Sequence, residues 1–347
     1  MAVGPYVTNI RQAGGKKRND MEICRKSLME VISLALPKKV LVILNPVAGH
    51  GKAKRRLPAV RSALAQSGIP YDVVETERRG HAAEISAAAA KNGYDILAAM
   101  GGDGTLSEVV NGLLAAREEG TETSVKIAVI PSGTGNDFSV GAGLFETWEE
   151  AVQALSNPGV RYMDAFRFSD SSGITRYVVN SVGIGYDAYV VKRVAELGAR
   201  KIGGLSYMYE ALRGLFFFNP GPLSVSFDGE PEAWYDKTWL CAITNSEKFG
   251  GGMKVNPGAL PDDGRLNVAF LHGVPRQGLL PLVFLVRGGN HVGKKGVVLR
   301  SASLVKLSAP DGFPCHVDGD TVPVRFPVMI QVLPRVLPFV AKARTQE

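Results

Sequence analysis

The chain of 347 residues is long enough for two domains or one large one. With 45% hydrophobic and 21% charged residues it can bury a core, which excludes global disorder, and its 40 glycines and 20 prolines follow no collagen period or low-complexity tract. A net charge of +7 and a pI near 9.2 suit a polyanionic partner (nucleotide, nucleic acid or anionic lipid) without choosing among them.

Residues 1–38 hold seven basic and three acidic residues, net +4 of the +7, so the basic character is read mainly as that of an N-terminal extension, residues 1–37. Its first half reads as disordered. Cys24, Leu28, Val31, Ile32 and Ala35 recur at helical spacing in the second. A solvated tail with a packed helix is the plain expectation, and contact with an anionic membrane the alternative. From Lys39 strands and helices alternate. Val40–Leu44 is a buried strand, and a helix carries Leu57, Val60 and Leu64 up to Gly68. Tyr71–Glu75 is a strand and Ala82–Asn92 a helix ended by Gly93. Ile96–Met100 is a strand, Leu106–Arg117 a helix and Ile127–Ile130 a strand. This pattern predicts βαβ units on a mainly parallel sheet, with ligands at the carboxyl ends of its strands. Beyond about Arg161 short β-branched and aromatic runs take over: Tyr177–Val182, Leu223–Phe227, Trp239–Thr244, Leu266–Leu271 and Ser303–Leu307. They predict an antiparallel β region, interrupted by helices near Ala188–Leu197 and Tyr207–Phe217.

Asn45-Pro46-Val47-Ala48-Gly49-His50-Gly51-Lys52 fails the Walker A pattern, because Pro46 replaces a glycine and Ala53 the magnesium-binding hydroxyl. Lys54 breaks the Rossmann fingerprint. Gly183-Ile184-Gly185-Tyr186-Asp187-Ala188 is read as a turn. In Gly101-Gly102-Asp103-Gly104-Thr105 the glycines let backbone N–H groups approach a polyphosphate, and the following helix points its positive end at it. A carboxylate there needs a cation or a proton transfer to explain it; a plain capped turn is the structural alternative. Pro131-Ser132-Gly133-Thr134-Gly135-Asn136-Asp137 adds a second such loop on the same sheet edge. Together they look like a nucleotide phosphate site.

With Asn45-Pro46, Gly49, Gly51-Lys52, Thr76, Gly80-His81-Ala82, Glu108, Asn111, Asp164, Asn180, Gly183, Gly185, Asn245, Asp263-Gly264, Arg287-Gly288, His291 and Asp318-Gly319-Asp320 in order, the chain from about Lys38 resembles the diacylglycerol kinase catalytic-domain superfamily, which includes bacterial lipid kinases and sphingosine and ceramide kinases. The resemblance implies an α/β protein of two domains: an α/β nucleotide-binding domain, residues 38–165 plus 332–347, and a β-sandwich-like, β-rich substrate domain, residues 166–331. It implies ATP and Mg2+ as cofactors, with nucleotide-binding residues Asn45, Pro46, Gly49, Thr76, Gly101, Gly102, Gly104, Thr105, Ser132, Gly133, Thr134 and Asn136. Asp103 and Asp320 would be the catalytic acids, one orienting magnesium and the other taking the hydroxyl proton, with Asp103 preferred as the base. Asp103, Asp320 and Asp263 would be metal ligands. Position 320 is commonly Glu in the family. Asp262 and Asp263 match part of a structural magnesium site of some bacterial members, where Gly258 lacks the acid seen there.

The implied reaction is transfer of the γ-phosphate to a lipid hydroxyl, with diacylglycerol the leading acceptor and sphingoid bases, ceramide and undecaprenol open. A NAD kinase-like enzyme and a catalytically degenerate binding module are the rivals. The partner is a lipid substrate at the membrane surface, and a homodimer is allowed. No basic-aromatic interleaving outside the tail supports nucleic acid. His81 and His291 are expected as hydrogen-bonded fixtures, and Leu215-Phe216-Phe217-Phe218 as core, with a lipid-facing lip as the alternative. Cys24, Cys241 and Cys315 are too few and too far apart for a disulfide framework or structural zinc. No signal peptide is read, and no apolar run reaches the roughly 18 residues of a span. The expected location is the cytoplasm with peripheral membrane association.

Overall fold

The computed structural model describes residues 39–196 and 204–342; the expectations for the N-terminal extension lie outside these residues. Val40–Leu44 (β1), Tyr71–Glu75 (β2), Ile96–Gly101 (β3) and Lys126–Pro131 (β4) form a parallel sheet in the order β2-β1-β3-β4. β1 and β3 are buried at every position, which is why they read as unbroken apolar runs rather than alternations. Three helices cover the sheet: Ala48–Gln66 (α1), His81–Ala89 (α2) and Asp103–Glu118 (α3). α1 opens irregularly, since Gly49, His50 and Gly51 are left-handed. α2 is rich in alanine because it lies close on α3: a Cβ on Gly112 would stand 2.0 Å from the Ala83 carbonyl oxygen.

A short helix, Asp137–Gly141 (α4), and Trp148–Ser156 (α5) lead into a long strand, Gly159–Asp170 (β5). Thr147 caps α5 by accepting the Glu150 N–H, a sequence signal of the usual kind. β5 runs unbroken through Arg161–Phe166, where the texture of the sequence changes.

The antiparallel part contains Thr175–Val178 (β6), Ser181–Gly185 (β7), Tyr186–Glu196 (α6), Gly204–Phe217 (α7), Gly221–Phe227 (β8) and Ala233–Thr244 (β9). It continues with Lys248–Phe249 (β10), Met253–Lys254 (β11), Leu266–His272 (β12), Arg276–Leu285 (α8), Val297–Ala302 (β13), Leu304–Ser308 (β14), Cys315–Val317 (β15), Asp320–Thr321 (β16) and Val328–Ala341 (β17). The expected strand Tyr177–Val182 is two strands parted at Asn180. The expected turn at Gly183–Ala188 is instead a buried strand running straight into α6. Gly183 is needed because its Cβ would stand 1.9 Å from Asp187 Oδ2 and 2.2 Å from His316 Nε2.

Two large apolar cores result, with two smaller clusters beside them among the described residues. One packs β1, β3 and β4 against their helices; the other fills the antiparallel strands, with Phe166, Phe168, Ile243 and Leu307 fully buried. β17 contributes to both, through Leu337, Phe339 and Val340 to the first and Val328, Ile330 and Val332 to the second. It pairs antiparallel with β5 and β14 and parallel with β4.

Candidate active site

Three loops at the carboxyl ends of β1, β3 and β4 press together. A Cβ on Gly49 would stand 2.3 Å from the Ser132 carbonyl oxygen, and one on Gly133 2.5 Å from Gly102 Cα. The glycines therefore let the loops touch as well as leaving backbone N–H groups open. Asn45 Nδ2 donates to Thr105 Oγ1 at 3.1 Å, and the Ser132 amide donates to the Gly101 carbonyl at 2.8 Å.

These loops floor a cleft of about 500 Å³ lined by Asn45, Pro46, Gly49, Thr76, Gly102, Gly104, Thr105, Gly133 and Thr134, nine of the twelve expected nucleotide residues. Gly101, Ser132 and Asn136 do not line it. Gly101 backs onto Thr105, Ser132 is fully buried, and Asn136 staples its own loop by accepting the Gly133 N–H at 3.0 Å. The cleft also holds Arg78 and Arg79, which sequence reasoning passed over although a dibasic pair beside Gly80 at a predicted phosphate site was a usable signal.

The two expected acids occupy different walls. Asp320 lines the cleft and pairs with Arg79 at 3.2 Å. Asp103 lines a second pocket of about 230 Å³ with Asp137, Asn180, Ser181, Val191, Val194, Phe249, Asp318 and Gly319. Its carboxylate accepts the backbone N–H groups of Asp137 and Phe138, each at 3.1 Å. Burial, with the nearby Asp137 carboxylate adding to it, pushes Asp103 up to about 6 against the pull of those two N–H groups. Asn180 Oδ1 and Ser181 Oγ are buried in this pocket's wall without a hydrogen-bond partner among the described residues. Buried polar atoms usually have one.

Asp318 and Gly319 line both the cleft and this pocket, so their turn is the wall between them. Asp318 anchors it by accepting the Val179, Asn180 and Ser181 N–H groups and the Ser107 hydroxyl at 2.7–3.0 Å. Beneath the turn, the fully buried His316 accepts the Gly319 N–H on Nδ1 at 3.3 Å, and its Nε2 lies 3.2 Å from Asp187 Oδ2. The first contact assigns the proton to Nε2. Neither residue was picked out as functional from the sequence, because 129 positions separate them.

Phe249 stacks on His316 and is shared by the polar pocket and a third, apolar cavity of about 140 Å³. Leu215 of α7, Trp239 of β9 and Leu279, Leu282 and Val283 of α8 wall this cavity, and Asp187 and His291 are its polar residues. Leu215 and Phe218 pack in the core as expected, whereas Phe216 and Phe217 are exposed.

Asp263 does not join the other two acids. It lines neither the cleft nor the polar pocket and accepts the Arg265 N–H at 2.9 Å beside Asp262 and Asp164. No group of three acidic, His or Cys side chains is spaced to hold a metal among the described residues. The donor set therefore does not fit a protein-only cage; it fits an ion carried on phosphates and held by one carboxylate, the usual habit of magnesium. Other motif residues are structural. Glu108 caps α2 by accepting the Gly80 and Ala82 N–H groups. Asn111 exchanges hydrogen bonds with the Tyr177 backbone. Asn245 donates to the Asp164 and Val179 carbonyls. His81 accepts the Glu77 N–H, and His291 Nε2 bonds the Val255 carbonyl.

Residues 39–168 match the diacylglycerol kinase catalytic domain, and residues 180–341 the YegS C-terminal NAD kinase β-sandwich-like domain. The chain belongs to the diacylglycerol kinase superfamily of lipid kinases. It is 29% identical to a diacylglycerol kinase of Mycobacterium tuberculosis over 86% of this chain and 94% of that one. It is 26% identical to a diacylglycerol kinase of Bacillus subtilis over 82% and 90%. A crystal structure of a diacylglycerol kinase from Bacillus anthracis superposes with a TM-score of 0.65 at 21% identity, covering 88% of this chain and 97% of that one, and shows a common fold.

Proposed function

We propose that this lipid kinase transfers the γ-phosphate of ATP, carried with Mg2+, to the hydroxyl of a lipid of the diacylglycerol type. The observation that carries the reading is the position of Asp103: its neighbours Gly102 and Gly104 line the cleft, while Asp103 itself lines the polar pocket, which shares Phe249 with the apolar cavity. ATP phosphates would lie on the backbone of Gly102–Thr105 and on Thr76, with Arg78 and Arg79 over them, and the adenosine toward Asn45 and Thr134. The acceptor hydroxyl would enter the polar pocket between Asn180 and Asp103, with acyl carbon in the apolar cavity. Asp103 takes the hydroxyl proton as the oxygen attacks the γ-phosphorus and the bond to the β,γ-bridging oxygen breaks, releasing ADP. A carboxylate near 6 is suited to that task at neutral pH. Asp320 would hold the ion that accompanies the phosphates, and the bound ion supplies charge neutralisation. Nucleotide binding is assigned to residues 38–165 with 332–347, and acceptor binding to 166–331.

The cavity's wall argues against a dinucleotide acceptor, whose polar groups would lose water there without partners. No helix among the described residues is long and apolar enough to cross a membrane, and the reading calls for peripheral association. The test is incubation of the full chain with labelled ATP and magnesium against diacylglycerol, a sphingoid base, ceramide, undecaprenol and NAD. Label on diacylglycerol, lost in D103N, supports the reading. Label on NAD and on no lipid overturns it.

A further inference from the structure

We infer that the outer face of α7 and α8, with the loop that follows α8, docks on an anionic bilayer and holds the mouth of the apolar cavity against it. Four large exposed hydrophobic side chains stand on α7: Tyr209, Leu212, Phe216 and Phe217, the last two 75% and 61% exposed. α8 adds Leu280 and Phe284, the latter 68% exposed, and Val292 lies in the loop beyond. The two helices are tied together by Arg276, which donates to the Leu215 and Phe216 carbonyls at 2.7 and 2.9 Å and to Asn219. The same helices wall the apolar cavity from inside, through Ala211 and Leu215 on α7 and Leu279, Leu282 and Val283 on α8. One helix pair thus turns an apolar surface both inward to the cavity and outward to solvent. Apolar patches of that kind mark contact surfaces rather than ordinary exposure.

Charge selects the occupant. Between Arg265 and Pro310 the chain has seven Lys or Arg and no Asp or Glu. Arg300 and Lys306 are paired with Glu230 and Glu232. Arg287, Lys294 and Lys295 are exposed around Val292 and have no acidic partner among the described residues. The acidic residue on α7, Glu210, is buried against Arg193 and Arg213. Exposed aromatics on a helix pair that is followed by a loop of exposed, unpaired cations suit an interface of acyl chains and anionic headgroups. The inference rests on the lipid-kinase reading for its purpose, since a lipid acceptor must leave a bilayer to reach the cavity. Its physical content does not depend on that reading. It also places the main membrane contact on α7, α8 and the loop that follows, rather than on residues 1–37, for which membrane contact was the alternative reading of the sequence.

The test is co-sedimentation of the full chain with vesicles of phosphatidylcholine alone and of phosphatidylcholine mixed equally with phosphatidylglycerol. The wild type is expected on the mixed vesicles. F216S/F217S/F284S should lower the partition coefficient at least tenfold on both. K294E/K295E should lower it at least tenfold on the mixed vesicles and leave neutral vesicles unaffected. A chain lacking residues 1–37 should keep more than half of the wild-type binding. All of these changes lie outside the cavity lining, so transfer to a water-soluble short-chain acceptor should stay at the wild-type rate, and this reports on the kinase reading separately. Wild-type vesicle binding by F216S/F217S/F284S overturns the inference whatever the kinase assay gives. So does a wild-type dimer in light scattering that this variant converts to monomer, which would make the face a contact between copies.

Discussion

Replacement of Asp103 by asparagine separates the chemistry from the fold, because two opposing effects of known sign meet at that side chain. Burial beside Asp137 raises the carboxyl from 3.8 to about 6. At 1.36 kcal/mol per tenfold, this places a penalty of up to about 3 kcal/mol on the ionised form in the fold. The folded value lies above the unfolded one, so the group favours the fold most below about pH 4, and that contribution is lost as pH rises through about 6. At pH 8 asparagine removes the penalty. It also offers one oxygen where the carboxylate offers two to the Asp137 and Phe138 N–H groups, and one unpaired donor costs about 1–3 kcal/mol. The two nearly cancel, so D103N should melt within a few degrees of the wild type in calorimetry at pH 8. Its turnover should fall by about 10²–10⁴, the usual share of a positioned base. Wild-type kcat/KM on a soluble acceptor should rise about tenfold per pH unit below about 6 and level off above. A folded D103N enzyme with wild-type turnover, or a wild-type profile flat from about pH 5 to 7, would refute the assignment.

Three further outcomes follow from the same geometry. G133A puts a Cβ 2.5 Å from the Gly102 backbone, so the phosphate loops must part; it should cost about 1–3 kcal/mol in denaturant unfolding and raise the ATP KM more than the acceptor KM. H316A removes the acceptor of the Gly319 N–H and should raise the ATP KM about 2–12-fold, the value of one hydrogen bond; H316N keeps an acceptor near the Nδ1 position and should recover most of that loss, whereas a merely space-filling role would make H316F the better rescue. A211W fills part of the apolar cavity; it should depress kcat/KM for a long-chain acceptor at least tenfold and leave a short-chain one near the wild-type rate, and equal loss on both would remove the acyl assignment.

The parallel half of the fold was legible because its strands are buried on both faces and its loops are glycine-rich at regular spacing. Val40–Leu44 and Tyr71–Glu75 stand where the sequence puts them. β5 was not legible as one element, since its buried Met163–Phe166 contains Asp164 and is flanked by Arg161 and Arg167, charged positions that read as a boundary. α8 was hidden by Gly278 and Pro281 within it. The cleft residues were legible through the loop motifs. The wall between the two pockets was not, because it depends on a three-residue turn, Asp318–Asp320, hung from Val179–Ser181 and Ser107 far away in the chain. Spacing likewise could not distinguish Asn245, which is buried and serves the backbone, from Asp103, which lines a pocket.

The strand that closes the fold has a consequence for biosynthesis. Val328–Ala341 supplies apolar side chains to both cores and lies between β14 and β4. In a nascent chain growing at about 5–20 residues per second, the edges of β14, β5 and β4 that β17 pairs stay unfilled until this strand emerges, and an unfilled edge is a template for mispairing. Neither core can reach its final packing until Val328–Ala341 has left the ribosome. A nonsense codon near Arg325 would remove this strand and leave the sheet unpaired on both the β14 and the β4 side, rather than yield a slightly shortened kinase. Such chains should be found with holdase chaperones or in inclusion bodies.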